Sequence, residues 1–191
     1  MDIFSTLLSM QAEISLAVVL VVLLLASLLI REPNHRPLQL VACSLLLIQL
    51  ILNVVPSEGE AFGGMYHSTA LTSVVKTLLT GGTLLVFLQS GGWLADKHTH
   101  TRAGEFYFLT LSTLLGMYFM VSAGSFILFY VGLELASIPM ACLVAFDKYR
   151  RHSAEAGAKF ILSSMFSSSL MLYGLSMVYG TCGTVYFSEL S

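Results

Sequence analysis

Phe126-Ile-Leu-Phe-Tyr-Val-Gly-Leu-Glu-Leu-Ala-Ser-Ile-Pro-Met-Ala-Cys-Leu-Val-Ala-Phe146 holds one charge, Glu134. It is long enough to cross the hydrocarbon of a bilayer, which takes about 20 apolar residues at ~1.5 Å each. Working outward, five more stretches meet the same test. The expected spans are roughly Ile14–Ile30, Leu38–Val55, Ser68–Gln89, Glu105–Val121, Phe126–Phe146 and Ala156–Tyr179. Breakers stand between them at Arg31-Glu-Pro-Asn, Val55-Pro-Ser-Glu-Gly, Ser90-Gly-Gly and Ser122-Ala-Gly-Ser. The 191 residues are 56% hydrophobic and only 10% charged, too little charge to cover a soluble surface. The fold class is therefore all-α: a polytopic membrane protein of six transmembrane helices.

The charges are placed systematically. Arg31 and Arg36 follow the first span, Lys97 and Arg102 the third, and Lys148, Arg150 and Arg151 the fifth. The connectors after the second, fourth and sixth spans contain no Lys or Arg. Of the nine positive residues, only Lys76 and Lys159 fall inside spans. By the positive-inside rule the three basic connectors are cytoplasmic, and both ends of the chain are expected on the other side. The expected location is a bacterial inner (plasma) membrane, with both termini periplasmic. No positive residue precedes the first apolar run, so it reads as a retained helix rather than a cleaved leader. The Ser122–Ser125 connector is so short that the helices it joins must be antiparallel neighbours, and Asp147–Ser153 is also short.

Several function classes find no support. A net charge of -2 without a basic run offers nothing to nucleic acid. Cys43, Cys142 and Cys182 are odd in number and widely spaced, which suggests neither a disulfide nor a metal site. His98 and His100 make one loop His-x-His, weak grounds for a metal. Neither a phosphate loop, a dinucleotide fingerprint nor a haem motif occurs. No cofactor is expected in this chain, and no catalytic residue.

The ionisable residues within the spans carry the functional expectations. A carboxylate in hydrocarbon costs at least ~2.5 kcal/mol on insertion scales, so Glu134 should face the bundle interior or water. Burial favours the neutral acid and a nearby cation favours the carboxylate, so such a group can be tuned to load and release protons. The plainer reading is a hydrogen-bonded structural acid. Pro139 deprives the Leu135 carbonyl of its helical partner, which suits either a wet pocket near Glu134 or a simple packing kink. Gly132 and Ala136, four apart, let a neighbouring helix approach.

Lys159 has Glu155 four residues before it, an ordinary surface pair, and direct pairing with Glu134 is not expected. Lys159, Ser163 and Ser167 share one face by their spacing, as a hydratable stripe or as small residues at a helix contact. Lys76 is expected near the middle of the third span, with Thr80 one turn on. It reads as a structural residue, a relay member, a lipid-facing snorkeler or the counter-charge of an acid on a missing helix. Glu13 and His67 are expected at the interface.

The second half of the chain also resembles a known family. The motifs are Glu105-Phe-Tyr-Phe-Leu, Leu115-Gly-Met-Tyr-Phe-Met-Val-Ser-Ala, Gly132-Leu-Glu-Leu-Ala-Ser-Ile-Pro, Val144-Ala-Phe, Ser153-Ala-Glu-Ala-Gly-Ala-Lys-Phe and Tyr173-Gly-Leu-Ser-Met-Val-Tyr-Gly-Thr-Cys-Gly-Thr. They resemble the antiporter-like membrane subunits of respiratory complex I, NADH:quinone oxidoreductase. The Gly-Leu-Glu-Leu, Val-Ala-Phe and Tyr-Gly-x-x-Gly-Thr forms are those of its subunit N branch rather than L or M.

The resemblance implies proton translocation driven by distant quinone reduction. It makes Glu134 the modulator of a buried lysine further along and implicates Lys159 in the proton path, with Pro139, Ser163, Ser167 and Lys76 as supporting candidates. It implies other complex I membrane subunits and the lipid bilayer as partners, with quinone and NADH reached only through those subunits. Members of the family are longer, about fourteen helices with two inverted repeats. Residues 1–103 would then be three N-terminal helices with a cytoplasmic loop. Residues 104–191 would begin the first repeat without completing a proton path. Two other readings stand beside this one: a subunit of a Mrp-type sodium/proton antiporter, and a structural assembly subunit.

Overall fold

The computed structural model describes residues 9–29, 36–55, 58–94 and 102–190. Six helices long and apolar enough to cross a membrane are present among them: α1 Gln11–Leu29, α2 Arg36–Val54, α3 Ala70–Leu94, α4 Ala103–Val121, α5 Phe126–Val144 and α6 Arg151–Cys182. All six expected spans form. Two run longer than their apolar cores: α3 continues past Gln89 to Leu94, and α6 begins at Arg151 and ends at Cys182. Helix propagation adds a hydrogen bond per residue, so a formed helix extends into polar flanks that hydropathy excludes. Arg31, Lys97, His98 and His100 lie outside the described residues.

The apolar core sits between α1, α2, α3 and α4. Leu16 and Leu23 of α1, Leu46 of α2, Phe87 of α3, and Tyr107 and Leu111 of α4 are fully buried there. The Phe87 and Tyr107 rings meet edge to face with centroids 4.7 Å apart. Lipid tails are as apolar as leucine, so close packing rather than water exclusion must hold such helices together. The α4–α5 contact follows that rule most tightly. A Cβ added at Gly116 would lie 2.4 Å from the Ala136 nitrogen and 2.7 Å from the Gly132 carbonyl oxygen. One added at Gly132 would lie 2.8 Å from the Met120 nitrogen. Gly132 and Ala136 therefore admit a neighbouring backbone, as their spacing suggests.

One end of the bundle is laced by backbone hydrogen bonds. Between α2 and α3 the chain forms a small hairpin, β1 Gly59–Ala61 antiparallel to β2 Tyr66–Ser68, with Ala61 opposite Tyr66. His67 donates to the Ser122 carbonyl (2.9 Å) and Gly124 to the Met65 carbonyl (2.7 Å), tying the hairpin to the α4–α5 turn. Phe126 donates to Val185 (3.0 Å) and Phe187 to Gly124 (3.1 Å), adding the segment after α6. Glycine is required at 124, because a Cβ there would sit 2.2 Å from the Gly64 carbonyl oxygen. Ser125 caps α5 by accepting from the Leu128 N–H. The three connectors without Lys or Arg thus meet at one end, and Arg102, Lys148 and Arg150 lie in connectors of the other.

Candidate functional site

Two groups of ionisable residues stand apart in the bundle. The first is fully enclosed. Glu13, in the first turn of α1, and Lys76, in the second turn of α3, form an ion pair at 2.7 Å with side chains 2% and 1% exposed. Tyr66 of β2 donates its hydroxyl to Glu13 Oε2 (2.8 Å) and accepts from Lys76 Nζ (3.2 Å). Ser122, from the α4–α5 turn, donates to Glu13 Oε1 (3.4 Å). Burial first, then the adjacent Glu13 carboxylate, raises the pKa of the Tyr66 phenol well above its usual value, so it remains a donor. Lys76 Nζ also lies 5.4 Å from the Tyr66 ring centroid and 5.7 Å from that of Tyr118.

A second polar layer follows about one turn further in. Thr80, one turn beyond Lys76, contacts the Tyr118 hydroxyl, and both receive the Asn53 amide. Gln49 donates to Asn53 Oδ1 (3.2 Å) and to the Ala12 carbonyl (3.0 Å).

These contacts correct two sequence expectations. Glu13 lies in the first turn of α1, near the helix end as expected, and is buried against Lys76. The counter-charge of Lys76 lies on this chain, not on a missing helix. Lys76 sits ~9 Å from the start of α3 by helix rise, not near its middle, because α3 runs on to Leu94. His67 is half-exposed in β2, 3.1 Å from Glu60, and precedes α3 rather than beginning it.

The second group lies along α5 and α6. Glu134 is half-buried on α5, and its carboxylate has no hydrogen-bond or ion-pair partner among the described residues. Ala145, at the end of α5, packs on Gly157 of α6, and Phe126, Ile127 and Tyr130 share a cleft with Leu172, Leu175 and Ser176. The same antiparallel pairing sets Glu134 level with Ser168, the buried serine of the run. Pro139 lies within α5, and the Leu135 carbonyl carbon is among the atoms nearest Gly116 of α4 (2.7 Å from its added Cβ).

Lys159 is 75% exposed and bonds Glu155 at 2.6 Å, the helical pair its spacing suggests. It stands ~12 Å from the start of α6, further in than hydropathy indicates. Ser163 and Ser167 are exposed with it, so the three do share a face, but that face does not pack on α5. Ser164 and Ser168 occupy the more buried side. The structure therefore brings Lys76 together with Glu13 and leaves Glu134 and Lys159 apart.

Comparison with known proteins gives consistent matches. Residues 123–191 match the family described as NADH:quinone oxidoreductase/Mrp antiporter, TM. NADH-quinone oxidoreductase subunit N of Phocaeicola vulgatus is 59% identical over 190 residues, covering 100% of this chain and 40% of the relative. The protein of the same name from Azobacteroides pseudotrichonymphae is 44% identical over 98% of this chain and 40% of its own length. A chain of respiratory complex I from Thermus thermophilus with bound aureothin superposes with a TM-score of 0.73 at 25% identity, over 92% of this chain and 38% of that one. The chain thus spans about two-fifths of the relatives it matches.

Proposed function

This chain is related over its whole length to the N-terminal part of the NADH-quinone oxidoreductase subunit N family, and on that premise we propose that it carries the first part of a proton path in the membrane arm of a proton-translocating NADH:quinone oxidoreductase. Quinone reduction and NADH oxidation belong to partner subunits in this reading, and no redox group resides here. Other membrane subunits and the bilayer are its partners.

The observation that carries the proposal is Glu134: a half-buried carboxylate in an apolar span without a partner among the described residues. An acid in that position needs water or a cation to stay charged, and its charge in turn shifts the proton affinity of neighbouring lysines. Lys159 is the second member. Its one partner among the described residues is the exposed Glu155, which leaves it open to neighbouring elements. Ser163 and Ser167 extend its polar face, and Pro139 leaves the carbonyl of Leu135, next to Glu134, for water or a donor. Residues 104–191 fit the start of an antiporter-like repeat, and residues 1–103 precede it as three helices. The basic connectors at the end opposite the hairpin support a cytoplasmic placement of that end, with the hairpin periplasmic in a bacterial inner membrane.

The Mrp antiporter reading shares the matched family but not the named relatives, all of which are quinone oxidoreductase subunits. The test is Glu134→Gln in the complete complex, with proton pumping and quinone reduction measured in inverted vesicles and assembly checked on a native gel. The expected result is assembled complex with reduced pumping. Normal assembly with normal pumping would leave Glu134 a structural acid and the chain a scaffold.

A further inference from the structure

The Glu13–Lys76 pair lies outside the α4–α6 region to which Glu134 and Lys159 belong. Both charges are at least 98% buried, and each has hydrogen-bonding partners. Such a pair is a poor device for stability, because its desolvation cost offsets most of its attraction and an apolar pair of similar volume does as well. Its surroundings are polar beyond what the two charges need. A cavity of about 10 Å³ lies against Lys76, lined also by Gln11, Ser15, Asn53 and Ser73. That is the volume one water requires, with more than the two polar partners it needs. The cavity is at the hairpin end of the bundle, lined by Gln11 in the first turn of α1 and by Val55 just after α2, and the Asn53–Thr80–Tyr118 layer continues the polar region inward.

From this arrangement we infer that Glu13 and Lys76 form a proton-holding site that exchanges with the aqueous phase at the hairpin end through one water beside Lys76. A proton reaching the Glu13 carboxylate makes it a neutral acid and leaves the Lys76 ammonium without its counter-charge. Lys76 then gives a proton to the water in the cavity. The Glu13 acid passes its proton to the Lys76 amine, and the ion pair is restored. One proton enters and one leaves; only O–H and N–H bonds change, and no electron moves. Tyr66 holds both groups at the distance this transfer needs, bonding each of them. The inference rests on the reading that the chain carries part of a proton path.

The test uses the complete subunit in the assembled complex, in inverted membrane vesicles. The double variant Glu13→Gln with Lys76→Met removes both charges, so neither is left buried alone. Protons pumped per NADH oxidised is the readout, since a merely structural pair leaves that ratio unmoved in whatever complex assembles. The expected result is a ratio below that of wild type. Assembled complex with the wild-type ratio overturns the proposal. If the double variant does not assemble, Ser15→Val decides: it fills the cavity beside Lys76 and keeps both charges. A lower ratio then supports the proposal, and an unchanged one overturns it. Glu134→Gln in the same vesicles separates the two readings. A drop there with no change in the others sinks only the Glu13–Lys76 site, whereas wild-type ratios throughout sink the proton-path reading as well.

Discussion

Removing Lys76 alone should harm this bundle far more than removing Lys76 and Glu13 together. At 2.7 Å and an effective dielectric of ~20, the attraction between the two charges is ~6 kcal/mol. Against it stands a desolvation cost of several kcal/mol for each ion, so the intact pair contributes close to nothing net. Lys76→Met forfeits the attraction and leaves Glu13 in place with Tyr66 and Ser122 as its donors among the described residues. Breaking a buried pair in this way costs about 3–5 kcal/mol. Adding Glu13→Gln removes the stranded charge and keeps an acceptor for Tyr66. The double variant should therefore recover most of the loss, with a coupling of about 2 kcal/mol or more between the two sites. The fraction of complex that retains the subunit through a graded SDS challenge measures this for wild type, both single variants and the double. A double variant as weak as the sum of the singles would refute the reasoning, because it would mean that the two charges do not sense each other.

Other outcomes follow from the same geometry. Tyr66→Phe removes one donor to Glu13 and should cost about 1–3 kcal/mol, read in the same SDS challenge. Because the folded-state pKa of Tyr66 is raised above the unfolded value of 10.0, its contribution is fully present below that pH and is lost progressively as pH rises from there through the higher folded-state value; Tyr66→Phe should flatten this alkaline decline in thermal-aggregation midpoints. Gly116→Val places a side chain against the backbone at Gly132 and Ala136, and should lower assembled complex on native gels through a cost of at least about 1–3 kcal/mol. Glu155→Gln breaks an exposed pair worth well under ~1 kcal/mol, so assembly should be unchanged; a clear loss of complex would mean that Lys159 and Glu155 are buried in the assembly.

Hydropathy and breakers made the six helices legible, because a bilayer demands long uninterrupted apolar runs. The Gly132–Ala136 contact and the Glu155–Lys159 pair were equally open to reading, since both depend only on helical spacing. The Glu13–Lys76 pair was not, as it joins residues 63 positions apart on helices that are not sequence neighbours. One signal did point to it: a lysine inside a span requires a counter-charge, and Glu13 and Lys76 both enter their helices from the same end of the bundle. The hairpin was hidden for a different reason. Its strands have three residues each, and its stability derives from the α4–α5 turn it bonds rather than from any pattern of its own.

The two charged groups differ in a way that bears on where a proton could be held. Around Glu13 and Lys76, every charged atom finds its partner within the chain, and that closure fixes the hairpin, α1, α3 and the α4–α5 turn relative to one another. Glu134 and Lys159 find no such closure: one carboxylate has no partner among the described residues, and one ammonium has only an exposed neighbour. A half-buried carboxylate in an apolar span calls for water, or for a cation brought by further elements. The relatives are about two and a half times as long as this chain, so sequence beyond the matched region is available in them to bring one. The α4–α5 turn links the two groups physically: Ser122 ends α4 on Glu13, and Ser125 begins α5 about two and a half turns before Glu134. The α4–α5 pair between them is closely packed at Gly116 and Gly132.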